Sequence, residues 1–439
     1  MAGYKEVKME DTIESKKWNK LWIFPFTVIS LVAGLYVPLI SLFLLVMQVG
    51  WMFFADDEDI AALVLFTLPF ASVFKISTDM ITLFTVVEIV VVMIMMFRTK
   101  KCSSYLLIGT IIFALYTILT PNRDYISTIK LIILIFIFYY LIPACRKALV
   151  YVIVAFVTGL LLSSVMACFR DYIPVISSYV AMVEDYTTVG MIERFSGLYP
   201  DPNYYSANII IAKFSLLALY NNKYIKKLFW ILSIPLTIFG FMTVSKSFVF
   251  IYCLYIFSLM LSYAKKKNFI WIILIGIFMC GALWLVQTSN LTLFVNLRAR
   301  FDYNDINSFT TGRVGIADTY LQYIFNNWKT LLFGDGIGAD LLFAEGKYIA
   351  SHNFYIDLLY YFGILGSVLF VIILGIVISK NKIIVKRNLI TYMPIISLAI
   401  MYISLSTLLF IDFPFHLLLA VTIYNMEENN EEVHRLSTL

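Results

Sequence analysis

Charge is the scarcest property of this chain. Of its 439 residues only 14% are Asp, Glu, Lys or Arg, and 61% are hydrophobic, where a soluble globular domain has about a quarter of its residues charged. That balance excludes a solvated globular chain. Histidine is scarcer still, at three residues. The five cysteines (Cys102, Cys145, Cys168, Cys253 and Cys280) are scattered. With no C-x-x-C and no Cys/His spacing suited to zinc, neither a disulfide framework nor a metal centre is expected. The net charge of +5 comes from short basic clusters between apolar runs. That is the pattern of cytoplasmic loops and not of a nucleic-acid surface. The polar stretch 1–20 lacks the small-residue cleavage site of a signal peptide, so the first hydrophobic segment is expected to stay as an anchor.

Apolar length is what the chain has in excess. Stretches of roughly 18 residues or more recur from end to end, each long enough to cross a bilayer, and the mean hydropathy is +0.87. The expected fold is all-α, a polytopic integral membrane helix bundle of about 12–14 transmembrane helices. Lys5, Lys8, Lys16, Lys17 and Lys20 hold the N-terminus in the cytoplasm. Segment 21–54 is too long for one span and is broken by Gly34 and Pro38, so it reads as a helical hairpin. With two spans there, Asp56–Asp59 and every later basic cluster fall on the inner side. Further spans are expected at 60–76, 79–97, 105–120, 125–144, 148–168, 203–220, 228–244, 248–263, 269–286 and 353–379. Two shorter ones within 389–426 pivot on Asp412-Phe413-Pro414. The organisation is then a cytoplasmic tail (1–20), a membrane domain (21–426) with outer segments 169–202 and 287–352, and a second cytoplasmic tail (427–439). In the longer outer segment Val314, Ala317, Leu321, Ile324, Phe325 and Trp328 recur at three- and four-residue steps. They mark an amphipathic helix that either lies on the bilayer surface or packs as a cap on the bundle.

Cations on the outer face run against the positive-inside distribution, so those kept there need a reason. They are Arg194, Lys246 and Arg313, joined by the titratable His352. The planar fork of arginine matches phosphate, and the helix start at His352-Asn353 adds free N–H groups. Together they point to an outward-facing phosphate or diphosphate site. Arg298, Arg300, Asn203 and Asn353 complete the candidate set for diphosphate and glycan. Each leading residue also has a plainer role: Arg194 paired with Glu193 or Asp201, Lys246 snorkelling to the interface, Arg313 beside a loop acid, His352 as a helix cap. Gly334-Asp335-Gly336-Ile337-Gly338 reads as a turn, because no strand precedes it and no Lys-Ser/Thr follows. Asp302 and Asp305 are two carboxylates in a loop and do not by themselves make a cation site. Glu88 and Lys213 fall inside predicted spans, where ionisable groups are costly. They either pair with each other or line a polar cavity.

The motifs occur in one order: Arg194-x-x-Gly197 with Pro202-Asn203, Ser245-Lys246-Ser247, Thr311-Gly312-Arg313, Gly334-x-Gly336-x-Gly338, and His352-Asn353-(x)9-Gly363-x-x-Gly366. In that order, and on one predicted membrane face, they resemble the O-antigen polymerase and O-antigen ligase family of bacterial membrane glycosyltransferases over 193–366. Lys246 stands where the family commonly has arginine, and Tyr361 where many members have glutamate; Asp357 is a substitute acid one turn below Asn353. The resemblance implies transfer of a glycan from an undecaprenyl diphosphate carrier to an acceptor hydroxyl outside the cytoplasmic membrane, with no metal and no cofactor. Arg194, Arg313 and Lys246 would hold the diphosphate. His352, kept neutral by the helix dipole, would be the base. An inverting polymerase of lipid-linked repeat units is the first expectation. A ligase to lipid A–core shares its donor chemistry. A lipid-linked oligosaccharide flippase is the alternative of another class, and the sequence lacks the internal repeat typical of transporters. The implied partners are the undecaprenyl-diphosphate-linked oligosaccharide, the lipid bilayer, and a chain-length regulator and flippase of the same pathway, with no nucleic acid.

Overall fold

The computed structural model describes residues 21–425 apart from 79, 100–102, 123, 181–182, 188–189, 266–269, 271–272, 274–275, 278–280, 282–283, 285, 302–308, 339, 344–345 and 381–388. Both expected tails, much of the expected span 269–286, and Asp302 and Asp305 lie outside the described residues.

Apolar sequence without local breakers folds here as helix, because a backbone away from water must satisfy its own polar groups. Several chain breaks fall at Pro or at side-chain caps, such as Pro38, Asp124, Asp201 and Asn222. Pro38, just after the extended Val37, separates α1 (Ile23–Tyr36) from α2 (Pro38–Phe54) as the hairpin reading requires. There follow α3 (Asp57–Thr67), α4 (Leu83–Thr99), α5 (Ser104–Leu119), α6 (Tyr125–Lys147) and α7 (Leu149–Cys168). The outer segment 169–202 is not helical throughout. It holds a short α8 (Val175–Tyr179) and an antiparallel hairpin of β1 (Val183–Thr187) and β2 (Gly190–Arg194), with Val183 opposite Arg194. Next come α9 (Pro202–Ala218), α10 (Lys223–Met242), α11 (Lys246–Lys265) and α12 (Thr292–Phe301). After them lie α13 (Arg313–Asn326), α14 (Trp328–Phe333), and a second small hairpin of β3 (Leu341–Leu342) and β4 (Tyr348–Ile349). The chain closes with α15 (Phe354–Lys380), α16 (Leu389–Met401) and α17 (Phe413–Tyr424). The fold is thus predominantly helical, with two small hairpins among the described residues.

Among the described residues four helices are long and apolar enough to cross a membrane: Tyr125–Lys147, Leu149–Cys168, Lys223–Met242 and Phe354–Ser379. Six shorter apolar helices accompany them. The expected span 60–76 is not one. Its helix ends at Thr67, before a 3-10 turn at Leu68–Phe70 that contains Pro69. Eleven residues rise only about 16 Å, and residues 60–66 are wholly interior, packed on α7. The expected single span 353–379 is also interrupted, at Gly363. Along α13–α14 the fully buried side chains are Tyr320, Ile324 and Thr330, while Val314, Phe325 and Trp328 of the predicted apolar face are exposed. Ala317 and Leu321 of that face are partly buried against the core, so the inward stripe keeps half of the predicted residues and adds Tyr320.

At the core, α9 packs against α7, α10, α11, α16 and α17 and is buried along nearly its whole length. One end of the bundle is tied by basic residues. Arg98 donates to the Met52, Phe53 and Ala55 carbonyls at the end of α2 and pairs with Asp57 at 2.9 Å, while Lys147 lies 3.4 Å from Glu58. Carbonyls at a helix C-terminus lack intrahelical donors, so a guanidinium there satisfies them and meets the dipole. Because α4 and α6 finish at that end, their starts, with everything attached to Thr82 and Asp124, lie at the other.

Candidate functional site

The site begins at the end of β2. Asp201 N-caps α9 by accepting from the Asn203 N–H at 2.6 Å, with Pro202 in the first turn. This fixes the Asn203 side chain, whose Oδ1 accepts from Arg194 Nη2 at 3.1 Å and from Ser245 Oγ at 2.8 Å. Arg194 Nε donates to the Thr243 carbonyl at 3.0 Å. Arg194 is only 3% exposed. A guanidinium so removed from water must be hydrogen-bonded, and these bonds knit β2, α9 and the turn before α11.

The serine–lysine–serine segment faces three ways from that turn. Ser245 joins the Arg194–Asn203 pair. Lys246 donates to the Phe309 carbonyl and sits 4.5 Å from the Phe309 ring centroid. Ser247 Oγ meets Ser404 Oγ at 2.8 Å, and the Ser404 carbonyl accepts from Arg313 Nη1 at 2.6 Å. Ser404 therefore joins two motifs that are 66 residues apart in the sequence (Ser247 and Arg313). Among the described residues, the non-glycine backbones with positive φ are Val244 (49°), Thr311 (55°) and His352 (52°). That conformation costs roughly 1–2 kcal/mol for an L-residue, and such strain gathers at functional sites. All three lie on or beside the sequence motifs.

His352 precedes α15. Asn353 is the cap: its Oδ1 accepts from the Tyr355 N–H at 2.9 Å and the Ile356 N–H at 3.2 Å. The Asn353 oxygen is thus occupied by the helix end. His352 is half-buried, and burial holds its imidazolium below the ordinary histidine range; the Arg313 cation pushes the same way, and the Asp201 carboxylate opposes both. His352 is therefore expected to titrate below 6.5, the usual histidine value. Arg313→Gln should raise that value and Asp201→Asn lower it further, by NMR titration of the full chain with His352→Asn for assignment. A wild-type value above 6.5 would contradict the placement. Because the folded value is depressed, the stability linked to neutral His352 is present above the unfolded value and lost as pH falls through the folded one.

The remaining candidates disperse. Arg298 Nη1 donates to the Val286 and Gln287 carbonyls at 3.0 and 2.6 Å. Arg300 is buried in α12. That helix reaches the site through Leu297, which packs with Ile192 and Val244. Lys213 donates to Ser233 Oγ, the Ser233 carbonyl and Thr237 Oγ1 at 2.9, 3.2 and 2.6 Å and lies over the Tyr255 ring at 4.5 Å. Its three donors are in use, so the alternative of a Glu88–Lys213 pair is not realised. Glu88 lines a cavity with Asp412 instead.

Two participants were not singled out as site residues in the sequence. Asp201 carried a signal, since Asp before Pro at a helix start is a capping pattern. Ser404 carried little, because its main contribution to Arg313 is a backbone carbonyl. With this geometry in hand, comparison with protein-family models, with curated proteins and with solved structures gives no match.

Proposed function

We propose that the chain is a membrane-embedded glycosyltransferase that polymerises undecaprenyl-diphosphate-linked repeat units on the outer face of the bacterial cytoplasmic membrane. The observation that carries this reading is convergence. Arg194, Asn203 and Ser245 form one buried network, while Lys246 and Arg313 attach beside it through Phe309 and Ser404. His352 feels both Arg313 and Asp201. The Arg98–Asp57 and Lys147–Glu58 end would face the cytoplasm. The site would then face outward, in a bundle spanned by the long and shorter apolar helices together.

Arg313 and Lys246 would hold the lipid diphosphate. Arg194, with Nε and Nη2 committed to Thr243 and Asn203, is assigned a positioning role. Neutral His352 takes the proton of the acceptor hydroxyl as that oxygen bonds to the anomeric carbon. The bond from that carbon to the diphosphate oxygen breaks, and the leaving diphosphate keeps the electron pair, its charge met by the two cations. One displacement inverts the anomeric centre.

The test is product analysis with purified protein and a lipid-linked repeat unit. A ladder of lengthening lipid-linked glycans is expected. Transfer seen only after a lipid A–core acceptor is added would replace polymerase by ligase. No transfer under either condition would remove the glycosyltransferase reading.

A further inference from the structure

Beside the cluster lies a cavity of about 270 Å³, largely apolar but with a few charged side chains in its wall, that the mechanism above does not use. It has room for roughly nine waters at about 30 Å³ each. Glu88 of α4 and Asp412, just ahead of α17, line it and are each 2% exposed. Neither Asp412 carboxyl oxygen closes a hydrogen bond, nor does Glu88 Oε1 or Tyr199 Oη, although Tyr199 and Asn208 come up to the Asp412 carboxyl. Buried carboxyl oxygens without donors are costly, and orphan groups of this kind need an explanation.

The lining limits the occupant. Lys75 and Lys130 share the cavity with the two acids. The lysines oppose a bare divalent cation, and the described residues hold no group of three or more metal-ligating acidic, His or Cys side chains. The carboxylates oppose a phosphate. What fits is a ligand with several O–H donors for the acids, oxygens for the lysines, and an apolar edge for Leu409 and Phe410. A single pyranose ring has that chemistry, and the volume sits just below the 300 Å³ or so where drug-sized pockets begin.

The cavity shares two walls with the cluster. Tyr199 and Pro200 face the cavity, and Asp201 and Asn203 next along the chain belong to the cluster. Ser404 accepts from Arg313, and Asp412 lines the cavity. Between them Tyr204 donates to the Ser406 carbonyl and stacks on Phe410 at 3.8 Å. We propose that this cavity binds one sugar ring of the acceptor, with Asp412 and Glu88 accepting from its hydroxyls. The word acceptor rests on the glycosyltransferase reading; the sugar site does not.

The experiment uses the full chain in detergent with two probes. One is a panel of methyl pyranosides (gluco, galacto, manno, rhamno and the two common N-acetylhexosamines), read by saturation-transfer NMR. The other is undecaprenyl diphosphate, read by direct binding. At least one pyranoside is expected to bind wild type and Arg313→Ala alike and to weaken about tenfold or more in Asp412→Asn and in Thr85→Phe, which fills the cavity. Undecaprenyl diphosphate should show the reverse dependence. If no pyranoside binds, or if neither cavity variant weakens it, the cavity holds water only and the inference is overturned, whatever the diphosphate does. Sugar binding with the expected variants, but no Arg313-dependent diphosphate binding, would uphold the cavity and sink the enzyme reading. Should Asp412→Asn fail to fold, as read by thermal melting, Glu88→Gln with Thr85→Phe decides.

Discussion

Replacing His352 by glycine is expected to lower polymer formation by about 10²–10⁴-fold, the usual contribution of a general base, while leaving the protein at least as stable as wild type. The stability half follows from the backbone. His352 adopts φ 52°, a conformation that glycine takes without a Cβ penalty. A drop in activity in a protein that melts no lower would therefore report lost chemistry and not lost folding. His352→Ala should be equally inactive without the backbone relief. The loss should fall on kcat as well as kcat/KM, since the proton is transferred only in the transition state. Arg313→Ala should lose a comparable factor if, as proposed, Arg313 meets the departing diphosphate, and Arg313→Lys should then recover part of it by restoring charge without the planar fork. Polymer lengths and rates from purified protein provide the measurement. His352→Gly retaining more than about a tenth of wild-type activity would remove His352 from the mechanism.

Gly363→Ala is expected to have the largest effect on folding. Gly363 interrupts α15 at φ 58°, ψ −171°, a region open in practice only to glycine. An added Cβ would lie 2.5 Å from Leu332 C and Phe333 N and 2.6 Å from Gly334 N. These are backbone atoms that cannot rotate away. The break also leaves helix carbonyls without their usual donors, a defect that an apolar surrounding does not tolerate. The glycine turn supplies those donors. Asp335 N donates to Tyr360 O at 2.8 Å and Gly336 N to Tyr361 O at 3.1 Å. Tyr116 Oη lies 2.7 Å from both Phe333 O and Phe362 O, its single proton shared between the two carbonyls across the same crossing. Strain and collision together should cost roughly 3 kcal/mol or more. Gly375→Ala on the same helix meets nothing within 4 Å and should be neutral or stabilising by up to about 1 kcal/mol. Thermal unfolding of the two variants in the same detergent measures the contrast. Equal melting temperatures would show that α15 is not held at this crossing.

The glycine pair illustrates what a sequence reading reaches. That residues 334–338 form a turn was legible, since alternate glycines without a following lysine have no phosphate-loop chemistry. That the turn exists to satisfy the broken helix at Gly363 was not, because the partner carbonyls belong to Tyr360 and Tyr361 and a carbonyl has no sequence signature. The amphipathic helix at 313–326 was legible as an element, and Ala317, Leu321 and Ile324 of its predicted face do pack on the core, but Tyr320 was missed and Val314 and Phe325 are exposed. Tyr320 is drawn inside by its hydroxyl, which donates to Ile349 O at 2.7 Å and accepts from Leu341 N at 3.1 Å. An apolar count cannot weigh such bonds.

By itself the sequence determined the helical class, the hairpin broken by Gly34 and Pro38, the pivot before α17 and the polar interruption that carries the motifs. These follow from local quantities: run length, prolines, caps and the need of buried backbone to bond to itself. Only the tertiary structure decided that α3 is a short interior helix, that Ser404 joins Ser247 to Arg313, and that Glu88 faces Asp412 and not Lys213. Each of those depends on which distant segments pack together, and the choice among equally apolar faces is made by complementary shape and buried hydrogen bonds.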